Sequence, residues 1–340
     1  MVAPPWFDVP PRGYGGIEAV LADLVDGLVT LGHQVTLLGV GEDRTQARFV
    51  RTLLQPGGER LGEPFPEVLH AVRVARILDQ LDVDVVHDHS LAGPLIATGH
   101  DVPTIVTVHG PVSGELGEYY RQLGTSVSLV AISDRQRELA LDLNWRATVH
   151  NGLRVDGFPF RRDKEDWALF LGRSVWDKGM HLAIDAARAA GRRIVLGAKC
   201  SEPAERAYFE AEITPRLGPD TDWLGQVGAA EKKDLLSRAG CLLFPILWEE
   251  PFGMVMIEAL ACGTPVVALR RGSVPEVVMD GLTGIVCDDP DELPAALRAV
   301  GAIDPDVCRK DVVDRFSPDV MAAGYEHAYR STAKRPELVA

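Results

Sequence analysis

The sequence predicts an α/β protein built from two doubly wound parallel sheets. Three observations carry this. Apolar residues alternate between strand and helix periods along the whole chain, as βα units do. The chain has 340 residues, enough for two domains. One break, followed by a charged run, divides the alternation into two series. Hydrophobic residues make up 46% and charged residues 25%, which suits a soluble globular chain.

Met1-Val2-Ala3-Pro4-Pro5 reads as the end of a buried first strand. Either that strand is very short or the true start lies upstream. Ile17, Val20, Leu21, Leu24, Val25 and Leu28 then recur at helical spacing, and Gly32 closes that helix. Val35 to Leu38 reads as a buried strand. Arg44, Arg48, Arg51 and Arg60 surround Pro56-Gly57-Gly58 and read as a solvated loop, with a local membrane or phosphate patch as the rival reading. A helix over 68–81 and strands over 83–86, 104–108 and 128–132 follow. Val149-His150-Asn151-Gly152-Leu153 and the charged run 161–166 form the expected linker. The second series runs through strands at 167–171, 194–196, 242–244, 266–268 and 284–286, and a last helix covers 318–329. The expected domains are residues 1–153 and 154–316. Ligands of such sheets bind at the carboxyl ends of the strands, so an interdomain cleft is the expected site. The last several residues are expected to fray.

Bulk properties exclude several classes. Asp+Glu 49 against Lys+Arg 35 gives a net charge of −14. A nucleic-acid partner needs a basic face, and attraction to anionic lipid is disfavoured for the same reason. No run approaches the roughly 18 apolar residues of a membrane helix, and no signal peptide is visible. The five cysteines are an odd number and widely spaced, which fits buried free thiols in a reducing cytoplasm. A cytoplasmic protein with a small soluble partner is therefore expected. The oligomeric state is not encoded.

Glu250 and Glu258 are the most informative pair, in Trp248-Glu249-Glu250-Pro251-Phe252-Gly253-Met254-Val255-Met256-Ile257-Glu258. With a helix beginning at Phe252, eight residues at about 1.5 Å rise separate the carboxylates by roughly 12 Å. That matches the span from the sugar to the ribose of a nucleotide diphosphate sugar. The helix N-terminus between them offers free N–H groups where a diphosphate would sit. Arg173 and Lys178, in Gly172-Arg173-Ser174-Val175-Trp176-Asp177-Lys178-Gly179, follow a strand and open a helix. Two fixed cations there can stabilise the charge that builds on a departing diphosphate without a metal. The bland alternatives are a surface Glu pair and a surface Arg and Lys.

Gly13-Tyr14-Gly15-Gly16-Ile17-Glu18 precedes the first helix, where glycines let backbone N–H groups approach phosphate or sugar. A dinucleotide fingerprint is disfavoured, because Glu18 replaces its third glycine and the second strand ends in Gly39-Val40-Gly41 without an acid. His109 ends a strand before Gly110. His87 and His89 could share a face, but no third ligand is apparent, and an acceptor-side or structural role is preferred. Asp82-Val83-Asp84 and Asp220-Thr221-Asp222 lack any metal-site context, so no metal is expected. Gly225 and Val227 follow Trp223 at a strand end. Ser133 and Asp134 read as a helix cap first.

Taken in order, these segments resemble the retaining GT-B glycosyltransferases of family 4, the glycogen-synthase-like group. The resemblance covers nearly the whole chain through the glycine loop, Val-His-Gly, Gly-Arg…Lys-Gly, Leu-Gly-x-Val and Glu-x7-Glu. Pro10-Pro11-Arg12-Gly13-Tyr14-Gly15-Gly16-Ile17-Glu18 is similar to that of small bacterial tetrahydrobiopterin-glucosyltransferase-like and antibiotic-tailoring enzymes. The resemblance implies a hexose, first glucose, moved with retention from a UDP-linked donor to a small acceptor, with no cofactor. It implies that Arg173 and Lys178 draw off the diphosphate and that Glu258 holds the ribose. It assigns Glu250 and the N–H groups of Phe252, Gly253 and Met254 to the sugar, and Gly225 and Val227 to the base. His109, Gly15 and Gly16 would complete the site, and a helix at about 317–332 would return to the first domain. A GT-B-like nucleotide-sugar epimerase and a non-catalytic nucleotide-sugar-binding module are the alternatives; a dehydrogenase is a distant third.

Overall fold

The computed structural model describes residues 1–13 and 15–333. Tyr14 of the glycine loop and the final residues expected to fray lie outside the described residues. The chain forms two compact units, Met1–Gly152 with the segment from Pro318, and Leu153–Ser317.

In unit 1, α1 (Gly16–Thr30) buries Val20, Leu21, Leu24, Val25 and Leu28, the stripe the apolar period requires. β1 (Thr36–Val40) pairs in parallel with β2 (Arg48–Leu53). α2 (Pro64–Leu78) opens with proline in its first turn, where the missing N–H is no loss. β3 (Val86–Asp88), β4 (Thr104–Val108), β5 (Ser128–Ala131) and β6 (Trp145–Thr148) form a parallel run in that order. α3 (Gly114–Leu123) lies between β4 and β5, and α4 (Asp134–Glu138) between β5 and β6. Ser133 caps α4 by accepting from the Gln136 N–H at 3.0 Å.

The two strand groups are joined by residues 1–3. Val2 donates to the His87 carbonyl at 2.8 Å and accepts from the His89 N–H at 3.0 Å, while Ala3 donates to Leu38 at 2.9 Å. Val2 is fully buried with Leu38, Val74 and Val86. Val2 forms single parallel bridges to Leu38 and Asp88 and so lies between β1 and β3.

Unit 2 follows with β7 (Trp167–Arg173), α5 (Met180–Ala190), β8 (Arg193–Lys199), α6 (Pro203–Tyr208), β9 (Thr221–Gly225), α7 (Ala229–Arg238) and β10 (Cys241–Phe244). α8 (Met254–Ala261), β11 (Val266–Leu269), α9 (Val274–Val277), β12 (Gly284–Cys287), α10 (Leu293–Ala299) and α11 (Pro305–Arg315) complete it. The strand order β12-β11-β10-β7-β8-β9 is fully parallel and reverses direction between β7 and β10. That is a Rossmann-type sheet with its switch point there. Phe170, Ile184, Leu196, Leu243, Val267 and Leu297 sit in its core. The chain then returns to unit 1 as α12 (Pro318–Thr332), which packs along α1.

The α/β class and parallel winding hold, and several details change. The stretch read as a solvated loop at 44–60 contains β2. Its arginines suit an edge strand, where charge blocks further pairing, and they mask the strand period. The helix expected over 68–81 starts at Pro64, because Glu63-Pro64 provides the turn that begins it. The strand expected over 83–86 is shifted to 86–88, where Val2 supplies its partner. All five cysteines are free; four are buried, and Cys200 is partly exposed. Among the described residues no helix is long and apolar enough to cross a membrane.

Candidate active site

In unit 2 the expected residues lie at or beyond the carboxyl ends of β7, β9 and β10, and contacts bring Lys178 to Glu250. β7 runs through Arg173, and the helix expected straight after it is delayed. A single turn at Trp176–Lys178 intervenes, and α5 begins only at Met180. The Leu247 N–H donates to the Asp177 carbonyl at 2.8 Å, tying this turn to the loop after β10. That bond brings Lys178 to Glu250. Their side chains form a close ion pair, with only 20% and 13% of the two side chains exposed. The Trp248 indole N–H donates to the same carboxylate at 2.9 Å, and the Lys178 ammonium lies 4.9 Å from the Trp248 ring centre. Cation, carboxylate and ring therefore hold one another in place.

The loop carrying Glu250 is braced from behind. Its carbonyl accepts from the Ser273 N–H at 3.0 Å, and Ser273 Oγ donates to the Phe252 carbonyl at 2.7 Å. Phe252 is buried edge-on against Phe316, at 5.9 Å between ring centres. Gly253 takes φ 74°, a conformation that favours glycine, and a Cβ there would stand 2.8 Å from the Met256 methyl.

The helix expected from Phe252 begins only at Met254, so Glu258 lies on its second turn. The left-handed Gly253 turns the chain just before α8. Residues 250–253 are not helical, and the straight-rise estimate between the two glutamates does not apply. From Met254 to Glu258 the rise is about 6 Å. Glu258 accepts from Lys232 of α7 at 2.7 Å. Gly225 is left-handed with open space around it, and Val227 lies near Gly197 of β8.

The sequence reading missed the partners of Arg173. Its Nε donates to Glu205 at 2.8 Å and its Nη2 to Glu202 at 2.9 Å. Glu205 is fully buried and also accepts from the N–H groups of Ser201 and Glu202 at 2.8 and 3.0 Å. Burial pushes its carboxyl up, but those hydrogen bonds and Arg173 outweigh burial and the net shift is downward. Lys199, the register partner of Arg173, donates to Glu202 at 2.7 Å. Register between strands, which a single sequence does not carry, is the signal that would have found it.

In unit 1 the structure brings His109 onto His89, with His89 Nδ1 and His109 Nε2 2.9 Å apart. The His87 ring lies tilted against that of His89, at 4.1 Å between ring centres. Its two nitrogens are taken by the Tyr329 hydroxyl and Thr107 Oγ1, each at 2.7 Å, so it plays a structural part. Thr107 also bonds the Tyr325 hydroxyl at 2.8 Å. The third histidine that the sequence reading did not find beside His87 and His89 is therefore His109. Among the described residues, however, no group of three or more side chains could hold a metal ion. Burial pushes His109 down to about 4 and His87 and His89 well below their ordinary value. All three are neutral near pH 7.

Gly15, at φ 144°, precedes Gly16 at the start of α1. A Cβ on Gly15 would stand 2.8 Å from Pro11 Cβ and 3.1 Å from Glu18 Oε2, so the close turn requires glycine. Glu18 is buried, and burial pushes its carboxyl up to about 7. Asp88 is likewise raised to about 7 by burial, against hydrogen bonds from Ser90.

Two doubly wound parallel sheets, each gathering polar groups at its carboxyl ends, define the GT-B class of architecture. Residues 14–156 match the family described as Glycosyltransferase Family 4, and residues 157–301 match Glycosyl transferases group 1. The chain is 28% identical to a phosphatidyl-myo-inositol mannosyltransferase of Mycolicibacterium smegmatis, over 94% of this chain and 88% of that one. It is 32% identical to a glycogen synthase of Mycobacterium tuberculosis, over 64% of this chain and 60% of that one. AviGT4, a glycosyltransferase involved in avilamycin A biosynthesis, superposes with a TM-score of 0.74 at 29% identity, covering 97% of this chain and 96% of that one. The chain belongs to the GT-B glycosyltransferases of family 4.

Proposed function

We propose that this glycosyltransferase moves a hexose, first glucose, from a UDP-linked donor to a small soluble acceptor with retention of anomeric configuration. The observation that carries the reading is the Lys178–Glu250 ion pair, in the segments after β7 and β10 at the switch point of the unit 2 sheet. The sugar–phosphate C–O bond breaks and its electron pair passes to the β-phosphate oxygen. A bond forms from the acceptor oxygen to the anomeric carbon, and the acceptor proton leaves with the nucleoside diphosphate. Arg173 and Lys178 meet the charge that builds on the phosphate, so the step needs no metal or other cofactor. Glu250 turns from Lys178 toward a sugar hydroxyl and the developing oxocarbenium charge. Glu258 holds the ribose, and Gly225 and Val227 lie against the base. The N–H groups of Phe252, Gly253 and Met254 hold sugar hydroxyls. In unit 1, Gly15 and Gly16 present backbone N–H groups, and neutral His109 contacts the transferred sugar.

The mannosyltransferase among the similar proteins favours a second reading for the sugar, mannose. The test is transfer by the purified chain from a panel of UDP- and GDP-linked glucose and mannose to small alcohols and sugars, with the product anomer read by NMR. A product of inverted configuration would sink retention. Epimerised nucleotide sugar formed without acceptor would favour an epimerase instead.

A further inference from the structure

Beyond the two expected cations, the edge of unit 2 carries a third. Lys199 is the last residue of β8 and the register partner of Arg173 on β7. Residues paired in parallel register send their side chains to the same face. Both cations therefore leave the sheet side by side at its carboxyl edge, where ligands of such sheets bind. The loop ends are also knit together. The Ser174 N–H donates to the Lys199 carbonyl at 2.9 Å, and Ser174 is fully buried.

The two carboxylates facing these cations differ. Glu205 is buried and holds Arg173 through Nε, with Lys199 4.0 Å away, so it acts as a fixed platform. Glu202 is half exposed. One of its oxygens takes Arg173 Nη2 at 2.9 Å and the other takes Lys199 Nζ at 2.7 Å. A single anion bridging both cations is thus already present in the structure, on the solvent side of the platform. Exposed ion pairs contribute little to stability, so stability is a weak reason for two cations here.

We propose that Lys199 is a third phosphate-binding cation, which joins Arg173 on the distal phosphate of the donor where Glu202 now bridges them. Glu205 is the positioning residue that keeps Arg173 aimed. Glu202 remains beside α6 as its cap and yields only its contacts to the cations. This rests on the reading that Arg173 binds the diphosphate.

The test measures affinity by titration calorimetry for whichever of UDP, GDP, ADP and dTDP the wild type binds tightest, and for its monophosphate. Lys199→Met is expected to weaken the diphosphate about tenfold while leaving the monophosphate within about twofold, since one charge-assisted contact is lost. Lys199→Arg should restore most of it. Should Lys199→Met fail to fold, Lys199→Gln makes the same comparison. A merely structural ion pair would lower the melting temperature and leave the diphosphate-to-monophosphate ratio unchanged. If Arg173→Met collapses that ratio and Lys199→Met does not, Lys199 is excluded and the reading of Arg173 stands. If neither variant moves it, or the wild type binds none of the four, both fall.

Discussion

The carboxyl ends of the two sheets solve different problems with opposite chemistry. In unit 2 the strand ends carry permanent charge: Arg173, Lys178 and Lys199 face Glu202, Glu205 and Glu250 in partly open ion pairs. In unit 1 the strand ends and the first turn of α1 carry titratable groups that burial shifts toward the neutral form. The three histidines are neutral, and Glu18 and Asp88 hold their protons up to about pH 7. A charged edge can meet a diphosphate, whereas a neutral edge can offer only hydrogen bonds. On the proposed reading polyanion recognition falls to unit 2, and the net charge of −14 conceals where the fixed cations stand.

The largest test of this contrast is Lys178→Met. Loss of one fixed donor to a developing oxyanion costs about 10²–10³ in kcat. Initial rates of nucleoside diphosphate release measure it, and a near-normal rate would break the assignment of charge to unit 2.

The next concerns unit 1. Glu18 has a folded pKa of about 7, above its ordinary 4.5. The unfolded chain loses this proton first as pH rises. Stability is therefore fully present below about pH 4.5 and falls until about pH 7, by on the order of 3 kcal/mol at most. Asp88 acts in the same direction, while His109, lowered to about 4, acts oppositely below its ordinary 6.5. Glu18→Gln isolates one of these effects. From pH 5 to pH 8 the change in unfolding free energy, measured with urea, should be more positive in the variant than in the wild type, and equal changes would count against a buried neutral carboxyl.

The smallest expected effect sharpens the picture within unit 2. Glu258→Ala should raise the donor KM about tenfold with a lesser change in kcat, as expected for a contact made equally in the ground and transition states. A fall in kcat alone would move Glu258 from the ribose to the reacting centre.

The two edges were also unequally legible in the sequence. Glu250, Arg173 and Lys178 stand out because Glu250 precedes a proline and each of the two cations adjoins a glycine, in segments that follow apolar strands. Their pairing was not readable, since Lys178 meets Glu250 only through the Asp177–Leu247 hydrogen bond between two loops. Lys199 belongs to none of the motifs, and only strand register places it beside Arg173. In unit 1, His109 could be nominated, but its contact with His89 depends on adjacent strands. β2 was lost because exposed arginines overwrite its alternation. Local chemistry is written along the chain, while partnership is decided by the sheet.

The tyrosines of α12 reach behind the histidines. Tyr329 bonds His87 across 242 residues of sequence, and Tyr325 bonds Thr107 across 218. Trimming the chain ahead of Tyr325 would strip both hydroxyls from that buried cluster. His87 would lose a partner for one nitrogen, and His89 and His109 would lose the support on which they rest. A change made at the tail would thus be felt at the heart of the first unit.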